Sequence, residues 1–132
     1  MDVSTLTVGD SFILDGVEGI HLHVIVAEIQ PGKDGLVMLV YLSSAESYRD
    51  ETTIVEQGEH PFITKKSWVR YRNTKIMQRA SLDGKIQKYY GKVSPQFLDK
   101  IQKGLLKSKF TSGECKRCFK EWTEERLINQ MH

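Results

Sequence analysis

Apolar positions follow two different rhythms along this chain. Up to about residue 80 they come in short runs and alternations broken by Gly, Pro, Asp and Ser; from residue 94 they recur at helical spacing. Val8–Leu14 reads as a short strand approached through Gly9-Asp10 and closed by Asp15-Gly16, with a loop from Gly16 to Gly19. His21–Ile29 is dominated by β-branched residues and has no helix cap before it, which predicts a long central strand. Pro31-Gly32-Lys33-Asp34-Gly35 supplies a hairpin connection, and Leu36–Leu42 is the antiparallel return strand. The near-continuous apolarity of that return strand predicts that both its faces are covered.

Ser43-Ser44 ends the hairpin, and Ala45–Asp50 reads as a loop or short helical turn. Thr52–Val55 is a brief strand, Trp68–Arg72 alternates apolar with basic side chains as a half-buried strand does, and Thr74–Gln78 is a further strand before the turn at Asp83-Gly84. Ser94 is then an N-cap with Pro95 in the first helical position, and Phe97, Leu98, Ile101 and Leu105 form one stripe. A helix from Pro95 to about Lys107 follows. Phe119, Trp122, Leu127 and Ile128 predict a second helix within Glu114–Gln130, whose single apolar stripe needs a surface to lie on.

Closely spaced short strands leave no room for parallel crossovers, so the expected fold is mainly β: a small antiparallel barrel or roll with one or two packed α-helices. At 132 residues the chain supports one core. A single domain over 1–132 is expected, with the barrel at about 6–80 and a helical extension at about 94–130. The longest apolar runs fall far short of the roughly 20 residues that span a bilayer. Met1-Asp2-Val3-Ser4 lacks a basic, then apolar, leader pattern, so a cytoplasmic location is expected. Two cysteines exclude a disulfide scaffold.

Charge changes the picture more than composition does. Residues 1–60 hold 11 acidic and 2 basic side chains, whereas residues 61–132 hold 6 acidic and 17 basic ones. Such segregation either presents a cationic surface to phosphate backbones or neutralises itself by packing one half against the other.

His21 and His23 share one face of their strand, where they could act as acid or base or contact a phosphate. A metal would need a third ligand, and His60 is the only other histidine in the barrel portion. Ser43 and Ser44 lack the nucleophile-elbow sequence and are hydrogen-bonding groups or plain turn residues. In Lys65–Arg72, extended backbone would put Trp68, Arg70 and Arg72 on one side, either as a base-stacking, phosphate-holding surface or as a core tryptophan ringed by arginines. Cys115-x-x-Cys118 is half a zinc pattern, completed only with help such as His132, or it is two reduced thiols. Nucleotide-binding glycine motifs and H-E-x-x-H are absent, and no cofactor or metal is expected.

Gly9-Asp10-Ser11-Phe12, His21-Leu22-His23-Val24-Ile25-Val26 and Leu39-Val40-Tyr41-Leu42-Ser43-Ser44 together resemble the MazF/PemK superfamily of plasmid-maintenance toxins over about residues 6–80. That resemblance implies an SH3-like barrel with added helices, homodimerisation, an antitoxin-like partner and metal-independent cleavage of single-stranded RNA. In the family a loop with arginine and proline precedes the valine-rich strand, and a threonine-serine pair ends the next. Here no arginine occurs before Arg49, His21 stands where arginine-proline would, and Ser43 replaces the threonine. Together with the basic second half, the resemblance leads to the expectation that His21, His23 and Ser43 are catalytic, His21 or His23 as acid or base and Ser43 with Ser44 on the scissile phosphate. It also leads to the expectation that Ser44, His60, Lys66, Trp68, Arg70 and Arg72 contact RNA, Arg70 or Lys66 neutralising the phosphate charge. The alternative is a barrel of the same fold that binds nucleic acid or a protein without catalysis.

Overall fold

The structure is a computed structural model that describes residues 1–14, 20–32, 34–44 and 50–131. The turn and loop expected at 15–19, most of the loop expected at 45–50, Arg49 and the proposed ligand His132 lie outside the described residues.

The described residues hold seven strands and two α-helices, besides short 3₁₀ turns: β1 Asp10–Leu14, β2 His21–Glu28, β3 Leu36–Ser43, β4 Ile54–Val55, β5 Ser67–Val69, β6 Lys75–Gln78, β7 Ile86–Lys92, α1 Pro95–Lys107 and α2 Gly113–Gln130. The strands form one curled antiparallel sheet in the order β4-β5-β3-β2-β1-β7. β3 pairs with β2 along one edge, while its other edge is shared between β6, opposite Leu36–Leu39, and β5, opposite Leu42 and Ser43. This sharing bends the sheet over the long β2–β3 hairpin. It also explains the apolarity of β3, which is buried from Val37 through Ser43.

Alternation along the hairpin sorts side chains to two sides. Leu22, Val24 and Val26 join Met38, Val40 and Leu42 in a core covered by Phe97, Ile101 and Leu105 of α1 and by Cys115 and Phe119 of α2. Phe12, Ile25, Val37 and Leu39 point the other way, into a second cluster closed by Leu6 and Leu82. Full burial of one of these aliphatic or aromatic side chains contributes on the order of 2 kcal/mol. Ser94 and Ser112 cap the helices, their hydroxyls accepting from the amides of Phe97 and Cys115.

Two expectations change. The alternation Trp68–Arg72 is strand only through Val69; a 3₁₀ turn, Tyr71–Asn73, follows because the Tyr71 side chain is drawn into the core beneath α1. The sheet also continues past residue 80 into β7, which pairs with β1 and carries mostly exposed polar side chains. No apolar period marks such an edge strand. The two oppositely charged halves do pack together, through Lys92 with Asp10, Lys100 with Glu59, and Arg79 with Glu28. No helix is long and apolar enough to cross a membrane among the described residues.

Candidate functional site

Register decides which candidate residues meet. His23 lies opposite Tyr41 across β2 and β3, and Ser43 lies opposite Trp68 across β3 and β5. Because alternate residues share a face, His21, His23, Tyr41, Ser43 and Trp68 are all on one side of the sheet. The His21 ring is 4.8 Å from Tyr41, the His23 ring 5.4 Å from it, and the Arg70 guanidinium lies over the same tyrosine at 5.5 Å. The Arg70 amide donates to the Tyr41 carbonyl at 2.9 Å, so backbone as well as side chain ties this arginine to the ring. Tyr41 is thus the hub of the cluster, sandwiched among two imidazoles and a guanidinium.

The start of β2 and the end of β3 also meet at a cleft of about 240 Å³ lined by His21, Leu22, Ser44, Phe62, Thr64 and Lys65, among others. His21 therefore borders both the aromatic cluster and open space. Lys65 and Lys66 are exposed, Ser44 and Arg70 half-buried. The combination offers a titratable ring, a hydroxyl and cations beside a cavity.

His23 has a different character. Its Nδ1 lies 3.0 Å from the His21 carbonyl, to which it donates in the neutral ring. Burial, together with the neighbouring His21 and Lys75 charges, pushes its pKa down to about 4 despite the opposing effect of that bond. Near neutral pH it is an uncharged strut.

His60 does not join the cluster as a nucleic-acid contact. It is 5% exposed and packs against Tyr90 and Phe97. Its Nδ1 accepts from the Phe62 amide at 3.0 Å, which leaves Nε2 to donate to Ser11 Oγ at 3.0 Å. Burial lowers its pKa. What it does is hold the loop that carries Phe62 and Lys65 to the cleft.

Ser43 and Trp68 are each 4% exposed because they face one another across β3 and β5, and Lys66 sits over the indole at 5.7 Å. The neighbouring Ser44 reaches the cleft instead. Arg72 leaves the face altogether, since the 3₁₀ turn redirects it over Phe110 at 4.8 Å. Cys115 and Cys118 are free thiols, the former buried against the barrel. Among the described residues no three His, Cys, Asp or Glu side chains gather as metal ligands.

Sequence reasoning missed Tyr41 and the part played by Lys65. Tyr41 sits inside an apolar run that reads as core, and only the register with His23 reveals its partners.

No family model and no curated protein matches the sequence. Solved structures do: an endoribonuclease in complex with its cognate antitoxin from a mycobacterial species aligns over 78% of this chain and 93% of its own, with a TM-score of 0.54 and 21% identity. At that identity the likeness is one of fold.

Proposed function

We propose that this protein is a toxin-type endoribonuclease that cuts single-stranded RNA without a metal ion, with His21 as its acid–base group. The observation that carries this reading is that His21 borders a cleft lined by Ser44 and Lys65 while its ring lies against Tyr41, over which the Arg70 guanidinium sits. It is supported by a fold shared with an endoribonuclease.

Cleavage of this kind needs a base to take the ribose 2′-hydroxyl proton as that oxygen attacks the adjacent phosphorus. It also needs an acid to protonate the departing 5′-oxygen, and cations for the charge that builds on the non-bridging oxygens. Imidazole serves either proton transfer near neutrality, a task arginine cannot share because it stays protonated. His21 takes the 2′-hydroxyl proton as base and, as acid, gives it to the departing 5′-oxygen; Arg70 and Lys65 face the phosphate, and Ser44 donates a hydrogen bond to it. His23, neutral and bonded to the His21 carbonyl, keeps the strand start in place. An antitoxin-like protein and a second copy of the chain are the partners this reading entails.

The test is incubation of the folded protein with a long single-stranded RNA in EDTA. Wild type is expected to fragment the RNA, and His21→Ala to slow it by about 10²- to 10⁴-fold. Intact RNA in the wild-type sample overturns the nuclease reading, and binding without turnover would favour the non-catalytic barrel.

A further inference from the structure

A second cleft, of about 540 Å³, opens where α1 ends, lined by Asp50, Glu51, Thr52, Lys107, Lys109 and Phe110. Phe110 is half-buried, and its ring is flanked by the Arg72 guanidinium at 4.8 Å and the Lys109 ammonium at 5.4 Å. Arg72, Lys107 and Lys109 take part in no ion pair among the described residues, and both lysines are exposed.

The aromatic is held in place by a built network. Asp50 is 5% exposed, and its carboxylate accepts from the Thr52 amide at 2.9 Å, from the Thr52 hydroxyl and from the Ser108 hydroxyl, the last two at 2.5 Å. The Ser108 oxygen in turn accepts from the Phe110 amide at 3.1 Å. This chain of bonds fixes the turn that displays Phe110 and Lys109.

We infer that this Phe110 cleft is a second nucleotide subsite for single-stranded RNA, in which a base takes the place of Arg72 or Lys109 over the Phe110 ring and the displaced cation, with Lys107, meets the flanking phosphates. The inference rests on the RNA reading above. Aromatic faces ringed by cations are how sequence-tolerant single-strand binders grip each nucleotide. The Asp50 carboxylate at the same wall is taken up by Thr52 and Ser108, so it positions the turn and is not a contact for the base.

Continuity with the first site comes from the chain itself. Arg70 lies against Tyr41 and Arg72 against Phe110, two residues apart on either side of Tyr71, whose buried side chain pins the turn between them. The two arginines thus link the two aromatic positions through a single turn of the chain.

The test uses a fluorescein-labelled 2′-O-methyl RNA oligomer, which lacks the nucleophilic hydroxyl and so reports binding apart from cleavage. Anisotropy titrations at several salt concentrations compare wild type with Phe110→Leu and with the double variant Arg72→Ala/Lys109→Ala, each checked for an unchanged unfolding temperature. Phe110→Leu is expected to weaken binding roughly tenfold. The double variant leaves two phosphates without their cations and should reduce the slope of log K against log salt by ~1.4. Variants that bind as wild type does while natural RNA is still cut overturn the subsite and leave the nuclease reading standing. Variant-sensitive binding in a protein that cuts nothing does the reverse.

Discussion

The Tyr71 hydroxyl lies 2.8 Å from the Ile101 carbonyl and 2.8 Å from Thr53 Oγ1, so one buried side chain joins the turn after β5 to α1 and to the segment before β4. Burial raises its pKa beyond the ordinary tyrosine value. The same tyrosine separates Arg70 from Arg72, and its anchoring is what sends these two cations to different rings, Tyr41 and Phe110.

Gly104 makes that anchoring sterically feasible. A Cβ there would come within 2.0 Å of Thr53 Oγ1 and 2.2 Å of the Tyr71 hydroxyl. Ala is the better helix former by about 1 kcal/mol, yet overpacking costs about 1–3 kcal/mol, and here it also breaks the Tyr71 bonds. Gly104→Ala is expected to lower stability by about 2 kcal/mol in urea unfolding. Unchanged or increased stability would mean that α1 shifts freely over the barrel.

Much of this arrangement is legible from residue order, and the rest fails for identifiable reasons. Local signals are strong for α1, where Ser94, Pro95 and a one-sided apolar stripe agree, and for the β2–β3 hairpin, where β-branched runs flank Pro31 and the following glycines. β7 carries no such signal because an edge strand with exposed Gln87 and Lys88 needs no apolar period. Trp68–Arg72 misleads for the opposite reason: its alternation is real, but the Tyr71 anchor ends the strand at Val69. At the site, the shared face of His21 and His23 follows from spacing alone. Their different environments do not, since the burial of His23 and the cleft beside His21 depend on strands distant in sequence.

Acid should weaken this protein through its histidines. The His23 pKa is lowered from 6.5 to about 4, and His60 is lowered as well, so below pH 6.5 the unfolded chain takes up protons that the folded chain refuses. The contribution to stability is full above pH 6.5 and is lost progressively as pH falls toward about 4, where His23 alone accounts for about 3 kcal/mol. Thermal unfolding at pH 7.5 and pH 5 should therefore show a drop that His23→Asn, which retains an N–H for the His21 carbonyl, reduces. An identical drop in that variant would assign the acid sensitivity to other groups.

Arg79 is 1% exposed, and its guanidinium reaches three partners: the Leu6 carbonyl at 2.8 Å, the Gly32 carbonyl, and Glu28 at 2.5 Å. It staples the amino-terminal segment and the β2–β3 hairpin to the end of β6. Removing it strands Glu28 and two carbonyls, and breaking a buried pair from one side costs about 3–5 kcal/mol. Arg79→Met is expected at the low end of that range, because Glu28 keeps some solvent contact. Arg79→Met/Glu28→Gln should recover part of the loss in denaturant titration; a double variant as unstable as the single would locate the cost in the carbonyls.

If Tyr41 holds Arg70 for phosphate contact, the shape of the cation matters as well as its charge. Lysine keeps the charge but cannot lie flat on the ring or offer two parallel donors, so Arg70→Lys should cut RNA cleavage roughly tenfold or more at unchanged fold. Tyr41→Phe preserves the ring between His21 and Arg70 and should cleave at close to the wild-type rate. Tyr41→Leu removes it and should fall as far as Arg70→Lys, with the deficit in kcat, since the stack orients reacting groups and contributes little to holding the rest of the strand. A Tyr41→Leu protein as active as wild type would show that Arg70 finds its place through the backbone bond to the residue 41 carbonyl alone.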